Sequence, residues 1–258
     1  MKTKSLGFLG GGRITRILLQ AFANKNADFR AIVIYDTDPE VLKNLNNRFP
    51  YIRIAETPLE VASQDIVFIA LHPPVIMEML EGIKDSFNYQ TVIISLAPKI
   101  TIERIIGKIK STTKIVRSIP NATSFINEGY NPVCFSSGIT GNEKQDLLAI
   151  FSLLGHTFET IENKLESYAI LSAMLPTYFW FQWKALLEIG QLTGLNDPEC
   201  KESIQLTTIS AMNLMFKSGL SPEEVMDLIP VKPIGEHEAE ILDCFKGKLL
   251  PLFDRIKP

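Results

Sequence analysis

Short apolar runs alternate with amphipathic segments over roughly the first 160 residues of the chain. The segments between the runs carry apolar residues at three- and four-residue spacing, which predicts helices with one buried face. The runs themselves predict strands at residues 6–9, 31–35, 66–71, 91–95 and 114–117. Continuous apolar strands that alternate with helices predict a parallel sheet covered on both faces.

The pattern changes near residue 162. Two further strands are predicted at 132–136 and 157–161, on either side of a helix over 143–154. After them only long helical patterns follow, at 165–193, 198–218, 222–229 and 239–256. The chain is therefore predicted to be α/β, with a Rossmann-type doubly wound sheet in residues 1–162 and an all-α domain in residues 163–258.

Composition narrows the class of protein. A chain of 258 residues with 46% apolar and 21% charged residues has room for two modest domains. Its net charge of -3 and the absence of a basic stripe argue against nucleic-acid binding. The most apolar stretch, residues 169–183, is shorter than the roughly 20 residues that a membrane-spanning helix needs.

The cysteines and the first residues favour a cytoplasmic protein. Cys134, Cys200 and Cys244 are far apart and lack metal-ligand spacing, so we expect buried small side chains in a reducing compartment. The histidines and carboxylates form no metal-ligand pattern either. The apolar residues before Gly10 are too few to form the core of a signal peptide.

The predicted helical domain has more apolar surface than about 95 residues can cover. Its first long helix carries four aromatic residues in a row of five, namely Phe179, Trp180, Phe181 and Trp183. We expect a homodimer, or a higher oligomer, in which these helices pack together.

A glycine turn follows the first predicted strand, at Gly10-Gly11-Gly12. Binding of a dinucleotide pyrophosphate requires a tight turn, a close approach of backbone N–H groups, and the positive end of a helix dipole. Gly10 and Gly12 fill the first two glycine positions of that motif, while the third, usually Gly or Ala, is Thr15. We predict that the cofactor is bound by Gly10, Gly11, Gly12, Arg13 and Ile14.

Asp36 ends the second predicted strand, 24 residues after Gly12. A carboxylate at this place accepts hydrogen bonds from the adenosine ribose and repels a 2′-phosphate, which favours NAD(H) over NADP(H). The alternative is a structural one, because Asp36 also precedes a helix start and could cap that helix.

Four segments of the chain, taken in order, resemble the pyrroline-5-carboxylate reductase family. Residues 7–12 match the glycine turn of that family, and residues 65–73 match its strand that ends in Lys-Pro, with His72 in place of the lysine. Residues 95–103 match a segment in which the family usually has Ala-Gly, replaced here by Pro98-Lys99. Residues 116–129 match its Arg-x-x-Pro-Asn segment followed by Glu-Gly.

The resemblance implies a reductase of proline biosynthesis with a helical dimerisation domain. It implies hydride transfer from the nicotinamide of NAD(H) or NADP(H) to a cyclic imine, pyrroline-5-carboxylate, which becomes proline. It further implies cofactor contacts from Leu71, His72 and Pro73, nicotinamide contacts from Ala97, and a place for Asn121 at the border of the cleft.

The C-terminal half departs from the family at its substrate segments. The family's Ser-Pro-Gly-Gly-Thr-Thr loop corresponds to residues 231–237, which keep only Pro233 and Gly235, and a family glutamate on the long helix becomes Lys184. His237 is predicted to be a general acid, because an imidazole can carry and release a proton during hydride transfer, the alternative being an exposed loop histidine. Lys184 is predicted to be a second acid–base group, the alternative being an exposed lysine opposite the apolar face.

These departures leave two other functions open. The same fold could reduce a different imine or act on a keto or hydroxy acid, because the rewritten loop at 231–237 no longer supplies the family's hydroxyl groups. The chain could also be a dinucleotide-binding protein without catalytic activity. All three hypotheses predict nicotinamide cofactor binding, and the two enzymatic ones add a small-molecule substrate.

Overall fold

The computed structural model describes residues 4–258, and one sheet of eight strands runs through the N-terminal part of this range. The strands are β1 (Ser5–Leu9), β2 (Ala31–Tyr35), β3 (Arg53–Ile54), β4 (Ile66–Ile69), β5 (Val92–Ser95), β6 (Ile115–Ser118), β7 (Gly129–Phe135) and β8 (Gly155–Glu159). Their order in the sheet is β3-β2-β1-β4-β5-β6-β7-β8. Strands β1 to β3 extend the sheet to one side and strands β4 to β8 to the other, so the switch point of this doubly wound sheet lies between β1 and β4. The predicted fold class is confirmed.

Helices connect the parallel strands and cover both faces of the sheet. They are α1 (Arg13–Asn24), α2 (Pro39–Arg48), α3 (Pro58–Ala62), α4 (Pro73–Ile83), α5 (Ile102–Ile109) and α6 (Gly141–Ser152). Two apolar clusters form, one on each face, because successive residues of a buried strand point in opposite directions. Phe8 and Phe68, for example, stack in one cluster with ring centroids 4.7 Å apart.

Two features of the sheet were not predicted from the sequence. β7 pairs with β6 in the antiparallel direction, with Val116 opposite Phe135. Only a short helical turn, Ala122–Ile126, separates the two strands, whereas a parallel return needs a longer crossover. The two-residue strand β3 was not predicted, because both of its residues are exposed and so short a run has no apolar period.

The chain divides into two units, and each is described here by itself. The first, the sheet unit, runs to Met174 and includes Phe253–Pro258; the second, the helical unit, is Leu175–Leu252. Secondary structure changes from strands to helices after Glu159, close to the predicted boundary at 162/163. The short helix α7 (Leu165–Tyr168) and the π-helical turn Ala169–Ala173 nevertheless pack in the sheet unit.

The helical unit contains α8 (Leu175–Leu192), α9 (Asp197–Lys217), α10 (Pro222–Asp227) and most of α11 (Glu238–Ile256). The prediction of one helix over 165–193 is wrong, because the π-helical turn separates α7 from α8. Within the described residues, Cys200 on α9 is the only residue of these four helices that is buried. The aromatic side chains of α8 are exposed in the single chain, with Phe181 at 67% and Trp180 at 47%.

The cysteines differ in their burial. Cys134 and Cys200 are buried as expected, but Cys244 is exposed, which corrects the expectation for that residue. Across residues 4–258, no helix has the length and apolar character required to cross a membrane.

Candidate functional site

The glycine turn lies at the carboxyl end of β1, beside the ends of β2 and β4. Gly10 has a φ of 101°, and a Cβ atom there would lie 2.6 Å from the carbonyl oxygen of Ala70. Its N–H group donates to the carbonyl oxygen of Tyr35 at 2.8 Å. Only glycine fits this close crossing, because a side chain would be strained by the backbone conformation and would collide with Ala70, the residue after β4.

The N-terminus of α1 opens directly from the turn. Gly12 is its capping residue and has no side chain, so among residues 4–258 no capping side chain accepts from the first N–H groups of the helix. A Cβ atom at Gly12 would meet nothing within 4 Å, so the space beside these N–H groups is open. Unpaired N–H groups, the helix dipole and free space together fit the pyrophosphate of a dinucleotide.

Thr15 explains how the turn tolerates a larger residue at the third motif position. Its side chain is fully buried, and its hydroxyl group donates to the carbonyl oxygen of Gly10 at 2.5 Å. The hydroxyl is thereby satisfied, and it ties the first turn of α1 to the start of the loop. Nearby, Arg13 is exposed and Ile14 is half-buried in the first turn of α1.

Asp36 bonds to the glycine turn. Its Oδ2 accepts from the N–H of Gly11 at 2.6 Å, and its Oδ1 accepts from the N–H of Asp38 at 2.9 Å. The capping residue of α2 is Asp38, whose carboxylate accepts from the N–H groups of Glu40 and Val41. The alternative role of Asp36 as the helix cap is therefore filled by Asp38.

A groove of about 450 Å³ lies between the glycine turn and α2. Three arginines, Arg13, Arg16 and Arg48, line it together with Asn44. The guanidinium of Arg48 donates to Gln20 Oε1 at 2.9 Å and lies 5.3 Å from the ring centroid of Phe125. The groove is thus basic beside the Asp36 carboxylate that binds the turn, so charges of both signs are available for the adenosine half of a cofactor.

The loop after β4 borders the same edge of the sheet. Leu71 approaches the turn, since its Cδ2 would lie 3.2 Å from a Cβ atom on Gly10. His72 is exposed and precedes α4, which Pro73 begins without any side-chain cap. The structure therefore brings the two predicted segments, the glycine turn and residues 71–73, together at the switch point.

The loop after β5, residues 96–101, lies next to it and is called the β5 loop below. Ala97 is buried and Lys99 is exposed, with a left-handed φ of 73° at the place where the resembled family has glycine. The N–H of Lys99 donates to Glu166 Oε1 at 3.1 Å, and its Nζ lies 3.4 Å from the carbonyl oxygen of Arg255.

Asn121 is buried, and its amide group is used inside the protein. The Nδ2 atom donates to the carbonyl and the hydroxyl oxygen of Ser172, at 3.1 and 3.0 Å. The Oδ1 atom accepts from the N–H and the hydroxyl of Thr123. The side chain joins the loop after β6 to the π-helical turn, so its predicted cofactor contact stays a prediction.

The two predicted acid–base residues lie in the helical unit. Lys184 is 79% exposed on α8 and lies 3.6 Å from Glu188. His237 is 58% exposed in a short helical turn before α11, with its Nδ1 atom 3.3 Å from Glu240 Oε2. In the single chain both side chains are solvated and paired with neighbours on their own segments. The expected burial of the helix that carries Lys184 is therefore absent in one copy.

Sequence reasoning missed a buried ionic cluster in the sheet unit, formed by Arg117, Glu162 and Glu166. Arg117 is fully buried on β6, with Nη1 2.9 Å from Glu162 Oε1 and Nη2 2.6 Å from Glu166 Oε1. Glu166 is 1% exposed. A charged residue between apolar residues in the segment Ile115-Val116-Arg117-Ser118-Ile119 was the available signal, because a buried charge requires a partner.

Comparison with known sequences supports the cofactor half of the site. The family model of the NADP oxidoreductases, coenzyme F420-dependent, matches residues 5–99. The pyrroline-5-carboxylate reductase of Escherichia coli is 24% identical over 228 residues, covering 88% of this chain and 84% of the relative. That of Methanosarcina acetivorans is 21% identical over 266 residues, covering 100% of this chain and 98% of the relative.

Comparison with solved structures extends the likeness to the whole fold. A pyrroline carboxylate reductase from Plasmodium falciparum, solved with NADP bound, superposes with a TM-score of 0.79 at 21% identity and covers 99% of this chain and 96% of that one. The same architecture therefore extends through both units. The resemblance that the four sequence segments indicated is confirmed.

Proposed function

We propose that this chain, a relative of the pyrroline-5-carboxylate reductases, is a NAD(P)-dependent reductase that transfers hydride to the C=N bond of a cyclic imine, pyrroline-5-carboxylate, and forms proline. The observation that carries the proposal is the glycine turn at the switch point of the sheet, with the uncapped N-terminus of α1 opening from it. The choice of pyrroline-5-carboxylate as the substrate is supported by the two relatives described above, which are pyrroline-5-carboxylate reductases and align over most of the chain.

The residues of the turn fit the cofactor. The N–H groups at the start of α1, from Gly12 to Ile14, would hold the pyrophosphate, while Gly10 lets the loop pass close to β4. Leu71, His72 and Pro73 would line the dinucleotide, and Ala97 would border the nicotinamide. When bound, the nicotinamide supplies the hydride, and the protein orients the acceptor and excludes water.

Asp36 favours NAD(H). Its carboxylate is fixed at the turn by the N–H groups of Gly11 and Asp38, where it would accept hydrogen bonds from the ribose hydroxyls and repel a 2′-phosphate. The arginines of the neighbouring groove are the competing feature. A lower dissociation constant for NADPH than for NADH would contradict the NAD(H) preference and would assign a 2′-phosphate to Arg13, Arg16 and Arg48.

His237 and Lys184 are proposed as the acid–base groups of the reaction. An imine nitrogen takes up a proton as hydride reaches its carbon, and a protonated imidazole can donate it. Both side chains are solvent-exposed in the single chain, so this role requires a further element to cover the helical unit.

We propose that the covering element is the helical unit of a second copy. Exposed apolar side chains occur on all four helices of this unit, for example Phe181 on α8, Ile209 on α9 and Leu250 on α11. Monomeric proteins rarely expose so much apolar surface, and a homodimer would bury it.

Turnover measurements test the proposal. The purified chain is incubated with pyrroline-5-carboxylate and NADH or NADPH, and loss of cofactor absorbance is followed; we expect consumption of the cofactor and formation of proline. A parallel panel of other cyclic imines and 2-oxo acids is run with the same cofactors. Activity confined to that panel would replace the substrate and keep the reductase. Tight cofactor binding without turnover on any compound would assign a binding protein without catalysis.

A further inference from the structure

The ionic cluster reaches the β5 loop through backbone atoms. Arg117 Nη2 donates to the carbonyl oxygen of Ala97 at 3.4 Å, and Glu166 Oε1 accepts from the N–H of Lys99 at 3.1 Å. Both peptide groups flank Pro98. One buried cation and one buried anion therefore hold the loop from its two sides.

The third member of the cluster holds the end of the same loop. Glu162 Oε1 accepts from Arg117 Nη1 at 2.9 Å and from the N–H of Ile102, the first residue of α5, at 2.7 Å. A carboxylate at this place also interacts favourably with the N-terminus of α5. The loop is thus tied at Ala97, Lys99 and Ile102 to three side chains that bind one another.

Stability alone does not account for such a cluster. The desolvation cost of buried charges is often not repaid, and apolar side chains of similar size are frequently as stable. Here Arg117 Nε and Glu166 Oε2 have no hydrogen-bond partner within the described residues, so the cluster is incompletely satisfied. What it does provide is a fixed backbone at Lys99, which adopts a left-handed conformation without being glycine.

We infer that Arg117 and Glu166, assisted by Glu162, are positioning residues that fix the β5 loop for hydride transfer. The inference rests on the proposed function, in which this loop borders the nicotinamide. The loop follows β5, which pairs with β4 on one side of the switch point, and its peptide groups are the ones the cluster binds. A shift of about 1 Å at a reacting centre can lower a rate about 100-fold, so fixing this backbone has a direct effect on catalysis.

The test separates positioning from stability. The double variant Arg117→Met/Glu166→Leu replaces the ion pair by apolar side chains, so we expect a melting temperature at or above that of the wild type. It removes the bonds to Ala97 and Lys99. We expect faster hydrogen exchange of the amides of residues 97–104 and a kcat lowered about 100-fold, with an unchanged dissociation constant for ADP-ribose.

The control is Lys114→Met/Glu143→Gln, which removes an ion pair from the opposite end of β6. We expect neither the exchange of the β5 loop nor kcat to change in it. If the first double variant fails to fold, Glu166→Gln is used instead, with an expected kcat loss of about 10-fold and faster exchange at Lys99.

Unchanged exchange in the β5 loop, or unchanged turnover despite faster exchange, would overturn the inference. A loss of turnover equal to that of the control pair would do the same. Exchange and ADP-ribose binding need no imine. Should pyrroline-5-carboxylate fail as a substrate, the exchange result still stands, and kcat is measured on the compound that is turned over.

Discussion

The sheet unit and the helical unit satisfy their apolar residues in opposite ways. In the sheet unit, helices cover both faces and two apolar clusters are fully enclosed. In the helical unit, α8, α10 and α11 contain no buried residue in the described structure, and α9 contains only Cys200. The first unit has a core of its own, whereas the second leaves its apolar side chains exposed in the single chain.

The ion pairs of the two units differ in the same sense. Several ion pairs of the sheet unit link separate elements, as Lys108 on α5 does with Glu81 on α4, at 2.6 Å. Within the described residues, the ion pairs of the helical unit join side chains no more than four positions apart, as Lys201 and Asp197 do on α9. Interactions within one helix stabilise that helix but leave its position relative to its neighbours undefined.

The largest expected effect concerns assembly. Phe181→Glu places a charge on the exposed aromatic face of α8, and we expect it to convert a dimer into a monomer, because a charge cannot be buried there without a partner. Light scattering measures the mass. Tyr89→Glu, at 69% exposure in the sheet unit against 67% for Phe181, is the matched control and should leave the mass unchanged. If the wild-type chain is itself a monomer, the proposal that a second copy covers the helical unit is wrong.

The second prediction asks whether the helical unit supplies chemistry. His237→Ala is expected to lower kcat about 100-fold with little change in cofactor affinity, which is the usual range for loss of a general acid. Steady-state kinetics over a pH series provide the measurement, and Lys184→Met is assayed beside it. If both variants turn over at the wild-type rate, the acid–base groups belong to the sheet unit.

The third prediction separates folding from cofactor binding at the glycine turn. At Gly12 a methyl group meets open space, so Gly12→Ala should leave the free energy of unfolding unchanged and weaken NADH binding about 10-fold by obstructing the pyrophosphate. Gly10→Ala should destabilise the fold by about 1–3 kcal/mol, because of its φ of 101° and the contact with Ala70. Urea unfolding and NADH titration are compared; equal NADH affinity in Gly12→Ala and wild type would place the pyrophosphate elsewhere.

The smallest effect is expected on acid stability in the sheet unit. Hydrogen bonds from Lys108 and then from Lys84 lower the pKa of Glu81 to about 2. A lowered pKa stabilises the fold above the pKa of the unfolded chain, about 4.3, and the contribution disappears as the pH falls towards 2. Glu81→Gln should therefore lower the urea midpoint slightly at about pH 6 and less at about pH 3. A difference that grows on acidification would contradict this assignment.

The strands that carry the candidate site could be predicted because their signals are local. β1, β2, β4, β5 and β6 are short apolar runs between turn residues, and the glycine turn follows the first of them. The loops after β1, β4 and β5 then meet because the carboxyl ends of parallel strands share one edge of a sheet. Asp36 was placed at this edge by the same reasoning, and its bond to Gly11 agrees with that placement.

The features of the structure that could not be predicted depend on contacts between residues far apart in the sequence. The direction of β7 depends on how the chain returns after β6, and no local period records it. Arg117 and Glu166 are 49 residues apart, so neither could be assigned to the other from spacing. Exposure of Lys184 likewise depends on what covers α8, which is decided outside the helix itself.

The sequence by itself determined the α/β order, the glycine turn and the change to helices near residue 162, because hydrophobic period and turn chemistry act within a few residues. The tertiary structure decided which charges are buried together, how the backbone at Lys99 is fixed, and where the second unit leaves apolar surface uncovered. These depend on the free energy of burying groups that are far apart in the chain, and that energy is defined only once the elements have packed.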